Sequence, residues 1–168
     1  MSARILDRLR EQFGEAVRAT FSNHGDECAI VDPARIVEVC AFLRDDPELK
    51  MAMLVDLCVV DTLGLDRREG GRFEVVYHLR SMASGRRVRI KALVDEGPSG
   101  ANPEIDSVVP VWRGANWFER EAWDMYGIKF RNHPDLRRIL MYEEFVGHPL
   151  RKDYPKEKRQ PLVRRDFS

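Results

Sequence analysis

Two segments in the middle of the chain, 73–80 and 87–94, constrain the fold most strongly. Within each segment apolar residues alternate with mostly polar ones, and Ser84 and Gly85 stand between the segments. Alternation with a period of two is typical of a β-strand with one buried face, and a short link containing Gly is typical of a turn. The apolar positions are Phe73, Val75, Tyr77 and Leu79, then Val88, Ile90, Ala92 and Val94. The sequence therefore predicts an antiparallel hairpin.

The outer face of this hairpin is rich in cations. Because the apolar faces must coincide, odd residues of the first strand lie opposite even residues of the second. Arg80 is then opposite Arg87 or Arg89, with His78 beside another cation, an arrangement that weakens strand pairing. One interpretation is an exposed face that discourages pairing with other strands. The alternative is an acidic partner that covers the basic strip.

The chain before the hairpin predicts two helices. Ser2 can cap the first helix, which ends at Gly14, and Asp32-Pro33 is a favourable start for the second. Each helix has one apolar face, because its apolar residues recur at intervals of three and four. These residues are Ile5, Leu6, Leu9 and Phe13, then Ile36, Val39, Cys40 and Leu43.

Further strands are predicted over 27–31 and in the second half of 51–64. The predicted fold class is α+β, with helices packed on a mostly antiparallel mixed sheet and an extended C-terminal arm. Apolar residues make up 43% of the chain, enough for one core. We expect residues 1–130 to form the α+β globular domain and residues 131–168 to form an extended basic arm that packs on a partner subunit.

The three cysteines, Cys28, Cys40 and Cys58, lack the spacing of a metal or cluster site. Iron–sulfur clusters and structural zinc sites need four ligands, commonly in close pairs. We therefore expect buried thiols in a reducing compartment. Asp56 and Asp61 raise a metal or acid–base alternative, but an interval of five residues places them on opposite faces of a strand.

A short helix is predicted over residues 117–126. Asn116 and Glu119 have the spacing of a capping box, and Gly127 stands where a helix would end. Helical periodicity places Glu119 inside a broad apolar arc, where a carboxylate must be paired or neutral.

The capping role, or an arginine such as Arg137 or Arg138, would satisfy Glu119. A general acid with a raised pKa is the alternative, although no nucleophile or metal is evident beside it. On the opposite side of the helix, Arg120 and Asp124 have the spacing of an ion pair.

His133 and His148 each precede proline, so both are expected in extended or turn backbone. Together with Asp135 they raise the alternative of a metal hydrolase. The chain has no HExxH motif and no histidine pair on one helical face. The pattern therefore does not favour metal chemistry.

The end of the chain predicts an arm without helix or central strand, since Pro149, Pro155 and Pro161 recur every six residues. Residues 131–168 carry 10 basic and 6 acidic side chains, whereas residues 1–130 carry 18 and 22. The arm has few apolar residues, so we expect it to need another surface rather than its own domain. A nucleic-acid-binding tail is the alternative, but the pI of 6.9 and the lack of interleaved aromatics argue against it. After Gly147 the apolar residues of the arm are Leu150, Tyr154, Leu162, Val163 and Phe167.

Two strings, EREAWDMYGIKFRNHPDLRRILM at 119–141 and GHPLRKDYP at 147–155, resemble the C-type subunit of proton-pumping NADH–quinone oxidoreductase, the 30 kDa-type subunit family of respiratory complex I. DLCVVD at 56–61 resembles the scaffold of that family more loosely. At 142–145 the chain reads YEEF, where many relatives carry Asp followed by Gly-Phe, so the conformation of this loop is open.

This resemblance implies a non-catalytic structural subunit of the peripheral arm of the complex. Such a subunit packs against the quinone-pocket (49 kDa-type, D) subunit, near the cluster-bearing subunits, and holds no cofactor itself. The complex transfers electrons from NADH through FMN and iron–sulfur clusters to quinone and pumps protons. The alternative is the equivalent subunit of a related membrane-bound hydrogenase or another donor:quinone complex.

We accordingly expect no catalytic, cofactor-binding or metal-ligating residue and no nucleic-acid partner. No apolar run approaches the roughly 20 residues of a spanning helix. The resemblance implies a peripheral location on the cytoplasmic face of the bacterial inner membrane, with membrane contact only through the complex. The structural motif residues are Asn116, Glu119 and Gly127. The predicted partner interface comprises Arg120, His133, Asp135, Arg137, Arg138, His148, Pro149, Leu150, Arg151, Lys152, Asp153 and Tyr154.

Overall fold

A computed structural model of the protein describes residues 3–65 and 71–160. The helices are α1 (Ala3–Phe13), α2 (Ile36–Asp45) and α3 (Ala115–Tyr126), and short 3-10 turns cover Gly14–Ala16, Pro33–Arg35 and Pro98–Gly100. The strands are β1 (Val17–Asn23), β2 (Asp26–Val31), β3 (Met53–Asp61), β4 (Phe73–Arg80), β5 (Arg87–Val94), β6 (Glu104–Asp106) and β7 (Lys129–Arg131).

Five of these strands form one mixed sheet in the order β1-β2-β5-β4-β3. Strands β2 and β5 run parallel, and the other neighbours run antiparallel. Strands β6 and β7 form a separate parallel pair. Three helices with a mostly antiparallel mixed sheet confirm the predicted fold class.

The hairpin formed by β4 and β5 has the predicted parity. Arg80 lies opposite Arg87, and His78 lies opposite Arg89. Carboxylates partly offset the cations of this face, because the Lys91 ammonium is 2.6 Å from Glu74. The face that carries these charged residues, opposite the helices, is called the outer face of the sheet below.

Strand β1 was not predicted, because its sequence VRATFSN contains polar residues without clear alternation. It pairs antiparallel with β2 through a tight turn at His24 and Gly25. Both turn residues have positive φ, 53° and 88°, as a two-residue hairpin turn of this hand requires. The ladder of hydrogen bonds with β2 therefore makes β1 a strand, although the sequence pattern of β1 alone does not identify it as one.

The core lies between the helices and one face of the sheet. The predicted apolar faces of the first two helices point into it, with Phe13 only partly buried. The inward residues of β4 and β5 are buried as their alternation predicts. Tyr77 and Phe73 are the largest fully buried side chains, so the hairpin provides the centre of the core.

The helix predicted over 117–126 begins earlier, at Ala115, and its N-cap residue is Gly114. No side chain caps it, so the capping box of Asn116 and Glu119 was wrong. Backbone turns supply the missing acceptors instead, since the Ala115 N–H donates to the Trp112 carbonyl at 3.0 Å. The predicted end at Gly127 is confirmed by its left-handed φ of 77° and its N–H···O bond to Trp123.

Some predictions fall outside the described residues: the Ser2 cap, and Pro161, Leu162, Val163 and Phe167 at the end of the arm. Among the cysteines, Cys28 and Cys40 are buried as expected, but Cys58 is exposed. Its alternation along β3 places it on the outer face of the sheet, so the prediction of three buried thiols was wrong.

Candidate partner-binding site

Asp124 on α3 is the main anchor of the arm. Its side chain is fully buried, and Oδ2 accepts backbone N–H bonds from Ile139, Leu140 and Met141 at 3.0, 2.8 and 2.8 Å. Oδ1 accepts a 2.5 Å bond from Arg138. Burial by itself raises the pKa of Asp124, but these donors outweigh it and hold the pKa below its ordinary value. An ionised carboxylate inside the protein thus fixes the start of the arm.

The exposed Arg120–Asp124 pair predicted on α3 was therefore wrong. Arg120 instead donates to the carbonyl oxygens of Arg137 and Arg138, each at 3.2 Å, and its guanidinium lies over the Trp117 ring. Helical spacing identified the face but not the arm segment that covers it. Arg120 in the middle of α3 and Asp124 near its end therefore both contact the arm.

Arg138 joins the helix to a loop of the arm. Besides Asp124, it donates to the carbonyl oxygens of Phe145 and Gly147, each at 2.9 Å, and its guanidinium lies 5.6 Å from the centre of the Phe145 ring. One planar guanidinium can satisfy several acceptors at once, which a lysine cannot do in the same geometry. The loop between 138 and 147 is closed around this side chain.

His148 attaches the next part of the arm to the end of α3. Its Nδ1 is 3.0 Å from the Asp124 carbonyl oxygen, and its ring packs edge-on against Trp123. Burial lowers the pKa of His148, so the neutral imidazole donates from Nδ1. The Leu150 N–H donates to the Met125 carbonyl at 3.1 Å, which continues the attachment.

His133 is held in the same neutral state. Its Nε2 donates to the Asn116 carbonyl at 3.2 Å, while Nδ1 accepts the Asp135 N–H at 3.0 Å. Burial lowers its pKa, and both ring nitrogens are occupied by backbone partners. Within the described ranges, His133, Asp135 and His148 do not form a group that could hold a metal ion. These three residues therefore do not form the metal site that the hydrolase alternative requires, and both histidines bond to backbone groups of α3 instead.

Glu119 is buried on α3, as its helical position predicts. Its partners are neither a cap nor Arg137 nor Arg138, so that prediction was wrong. The Ser107 hydroxyl is 2.6 Å from Oε2, and the Val108 N–H donates to Oε1 at 2.7 Å. Burial outweighs these two bonds and raises the pKa to about 7. In the sequence, the only feature that pointed to the pairing of Glu119 with Ser107 was that a polar residue directly follows β6.

A second, ionic anchor lies at the end of β3. Asp61 accepts two bonds from Arg72, at 3.0 and 2.7 Å, and a third from the Lys152 N–H at 2.9 Å. Arg72 also donates to Asp153 at 2.8 Å, and Arg151 bonds to both Glu96 and Asp153. Burial alone raises the pKa of Asp61, but Arg72 and the backbone donors lower it to about 2.

Sequence reasoning missed Arg72 and Glu96, because nothing in the local pattern links them to residues near the end of the chain. The described part of the arm therefore lies on its own domain, contrary to the expectation that the arm needs another surface rather than its own domain. The reason is physical: the arm is attached through buried charges and backbone hydrogen bonds, which an argument from apolar content does not count.

Several large apolar side chains of the anchored arm are exposed to solvent, and the part of the arm that exposes them is called its outward side below. The exposed fractions are 56% for Leu140, 61% for Val146 and 52% for Leu150, and Trp117 at the start of α3 is 63% exposed. Tyr154 points inward, since its ring stacks on Phe145.

The twelve predicted interface residues divide into two groups by exposure. Those exposed to solvent are Asp135, Arg137, Leu150, Lys152 and Asp153. Those partly buried on the body are Arg120, His133, Arg138, His148, Pro149, Arg151 and Tyr154.

Several known proteins are similar to this chain in sequence. Residues 29–160 match the family described as respiratory-chain NADH dehydrogenase, 30 Kd subunit. The second C-type subunit of NADH-quinone oxidoreductase in Rhizobium etli is 48% identical over 158 residues, covering 92% of this chain and 80% of that protein. The C-type subunit of the same enzyme in Roseiflexus sp. is 48% identical, covering 92% of this chain and 84% of that protein.

Two solved structures are similar in fold. A trypsin-resistant fragment of Nqo5 is 28% identical with a TM-score of 0.68, covering 80% of this chain and 98% of the fragment. A chain of the membrane-bound sulfane sulfur reductase, an archaeal respiratory membrane complex, has a TM-score of 0.71 at 19% identity, covering 92% of this chain and 86% of that chain. At that identity the second likeness concerns the fold alone.

Proposed function

Because the chain belongs to the family of the 30 kDa-type subunit of respiratory-chain NADH dehydrogenase, we propose that it is a non-catalytic structural subunit of the peripheral arm of complex I. In this role it packs against the quinone-pocket (49 kDa-type, D) subunit and lies near the cluster-bearing subunits. The complex carries electrons from NADH through FMN and iron–sulfur clusters to quinone and pumps protons.

The observation that carries this proposal is the outward side of the anchored arm. Asp124 and the Asp61–Arg72 pair fix its path, and exposed side chains such as Leu140 and Leu150 project from it. Single exposed apolar residues are common on monomers, but a chain segment held rigidly with its apolar side chains outward presents a preformed binding surface. Partner binding then costs little ordering entropy in the described part of the arm.

The absence of redox chemistry in this chain rests on ligand chemistry. An iron–sulfur cluster needs four protein ligands, commonly all cysteines, whereas this chain has three cysteines, two of them buried separately in α2 and β2. The clusters accordingly belong to other chains of the complex, and we propose the same for flavin and NADH from membership of the 30 kDa-type family.

The proposed location is the cytoplasmic face of the bacterial inner membrane, with membrane contact only through the complex and no nucleic-acid partner. None of the helices in the described ranges has the length and apolar character needed to cross a bilayer. The relatives at 48% identity favour the NADH–quinone complex over an equivalent hydrogenase-like assembly.

Leu150→Asp tests the proposal, because it places a charge on the outward side without touching either anchor. The expected result is loss of co-purification with the quinone-pocket subunit when the two chains are co-expressed, and failure of the complex to assemble. Met82→Asp is the matched control, since Met82 is 66% exposed in the turn of the hairpin. Equal recovery of the partner with both variants would contradict the proposed interface.

A further inference from the structure

Three side chains with different donor atoms converge on the outer face of the sheet. Asp56 and Cys58 are two residues apart on β3, so both side chains point to the same face. His78 lies directly opposite Asp56 on β4. The carboxylate oxygen, the thiol sulfur and the ring nitrogen all lie within 4.8 Å of one another.

A β-bulge places this trio. The register of β3 against β4 shifts between Leu54 and Asp56, and Val55 has no partner in the ladder. Bulges bend a strand and redirect the side chains that follow, and they occur often beside functional sites. Here the bulge brings Asp56 opposite His78.

The chemistry of the three donor atoms indicates which metal ion would bind. Imidazole and thiolate suit zinc and disfavour calcium and magnesium, which prefer oxygen ligands. Zinc bonds of about 2.0–2.3 Å in tetrahedral geometry separate neighbouring donors by roughly 3.5 Å, so modest side-chain rotations would close the site. Three protein ligands leave a fourth position for water. A cleft of about 290 Å³, lined in part by Asp56, His78 and Arg89, provides the room.

The surrounding charges balance such a site. A bound divalent cation would replace the thiol proton, so the carboxylate and thiolate together would neutralise it. Arg89 lies 3.8 Å from Asp26, which reduces its repulsion of a metal beside His78.

We propose that Asp56, Cys58 and His78 bind one zinc ion, with the fourth position open to water. This site is independent of the proposed partner interface, which lies on α3 and the arm. It also differs from the expectation of a chain without metal ligands. The metal alternative weighed from the sequence paired Asp56 with Asp61, whereas the register places His78 opposite Asp56.

The test is equilibrium dialysis of the purified full chain against micromolar zinc chloride, followed by metal analysis. The expected result is one zinc per chain, with binding at least about tenfold weaker in Asp56→Asn, Cys58→Ser and His78→Gln. Cobalt(II) should give thiolate-to-metal charge-transfer absorption that Cys58→Ser removes. His24→Gln, which changes an exposed histidine in the turn between β1 and β2, should leave binding unchanged.

A measurement on the unaltered protein guards against variants that fail to fold. Zinc should slow alkylation of Cys58 by iodoacetamide, while Cys28 and Cys40 are buried and react slowly in both states. Absence of stoichiometric binding, absence of this protection, or a charge-transfer band that persists in Cys58→Ser would each overturn the site. Assembly of the complex remains the separate readout for the proposed interface.

Discussion

The imidazole of His148 lies so close to Gly127 that a Cβ built on residue 127 would be 2.7 Å from two atoms of the ring. Gly127 therefore serves two purposes: its left-handed φ of 77° ends α3, and its missing side chain makes room for the arm. Helix termination and attachment of the arm depend on the same position.

Gly127→Ala should lower the free energy of unfolding by about 2–4 kcal/mol, because it combines a left-handed non-Gly residue with a clash against the partly buried His148 ring. Urea denaturation of the purified chain measures this. Gly114→Ala is the control: Gly114 has a φ of −63° and no atom within 4 Å of a built Cβ. Its effect should stay within about 0.5 kcal/mol. Similar losses for both variants would contradict the dual role of Gly127.

Asp124→Asn should destabilise the protein by about 3–5 kcal/mol, since it leaves the Arg138 guanidinium partly buried without its charged partner. The amide also presents two donors where Asp124 now accepts four bonds from the arm. Chemical denaturation gives the magnitude, and limited proteolysis shows whether the arm becomes accessible. Glu121→Gln on the same helix is exposed and should change stability little. A loss below about 1 kcal/mol for Asp124→Asn would mean that the arm is held elsewhere.

The sequence predicts those elements whose pattern is repeated locally. Alternation fixes the hairpin and its parity, and helical spacing fixes the inward faces of α1 and α2. Gly127 predicts the end of α3 for the same reason, because only a local backbone conformation is involved. Strand β1 has no such pattern, and its place depends on hydrogen bonds to β2.

Long-range polar contacts could not be predicted in this way. The bonds of Asp124 to the backbone of 139–141, and of Asp61 to Lys152, join segments that no periodic pattern relates. The small number of apolar residues in the arm indicated that the arm would need another surface. In the structure, however, its N–H groups and arginines form hydrogen bonds to buried carboxylates of its own domain. Glu119 shows the same limit: its burial followed from helical geometry, but its partners followed only from the fold.

Glu119 should make stability depend on pH in the sense opposite to a salt-bridged acid. Its pKa rises from 4.5 to about 7 on folding, so the native state holds a proton that the unfolded state releases. The corresponding stabilisation is fully present below pH 4.5 and is lost as the pH rises to about 7. Glu119→Gln mimics the protonated acid and should match the parent near pH 4.5 but exceed its stability at about pH 8, by up to on the order of 3 kcal/mol. Unfolding curves of both proteins between these pH values measure the difference. A difference that does not change with pH would show that Glu119 titrates normally in the fold.

Asp61→Asn should loosen the arm locally without unfolding the domain. Asp61 accepts the Lys152 N–H and both fork nitrogens of Arg72, and its lowered pKa of about 2 shows that these donors favour the charged form. Weakening them should accelerate amide hydrogen exchange at Lys152 by about tenfold or more, because each charge-assisted bond contributes about 1.5–3 kcal/mol. Asp106→Asn is the matched control, since it breaks an exposed ion pair with Arg131 that does not involve Asp61, Arg72 or Lys152. Exchange at Lys152 that is unchanged in Asp61→Asn would mean that the Asp124 anchor alone holds this part of the arm in place.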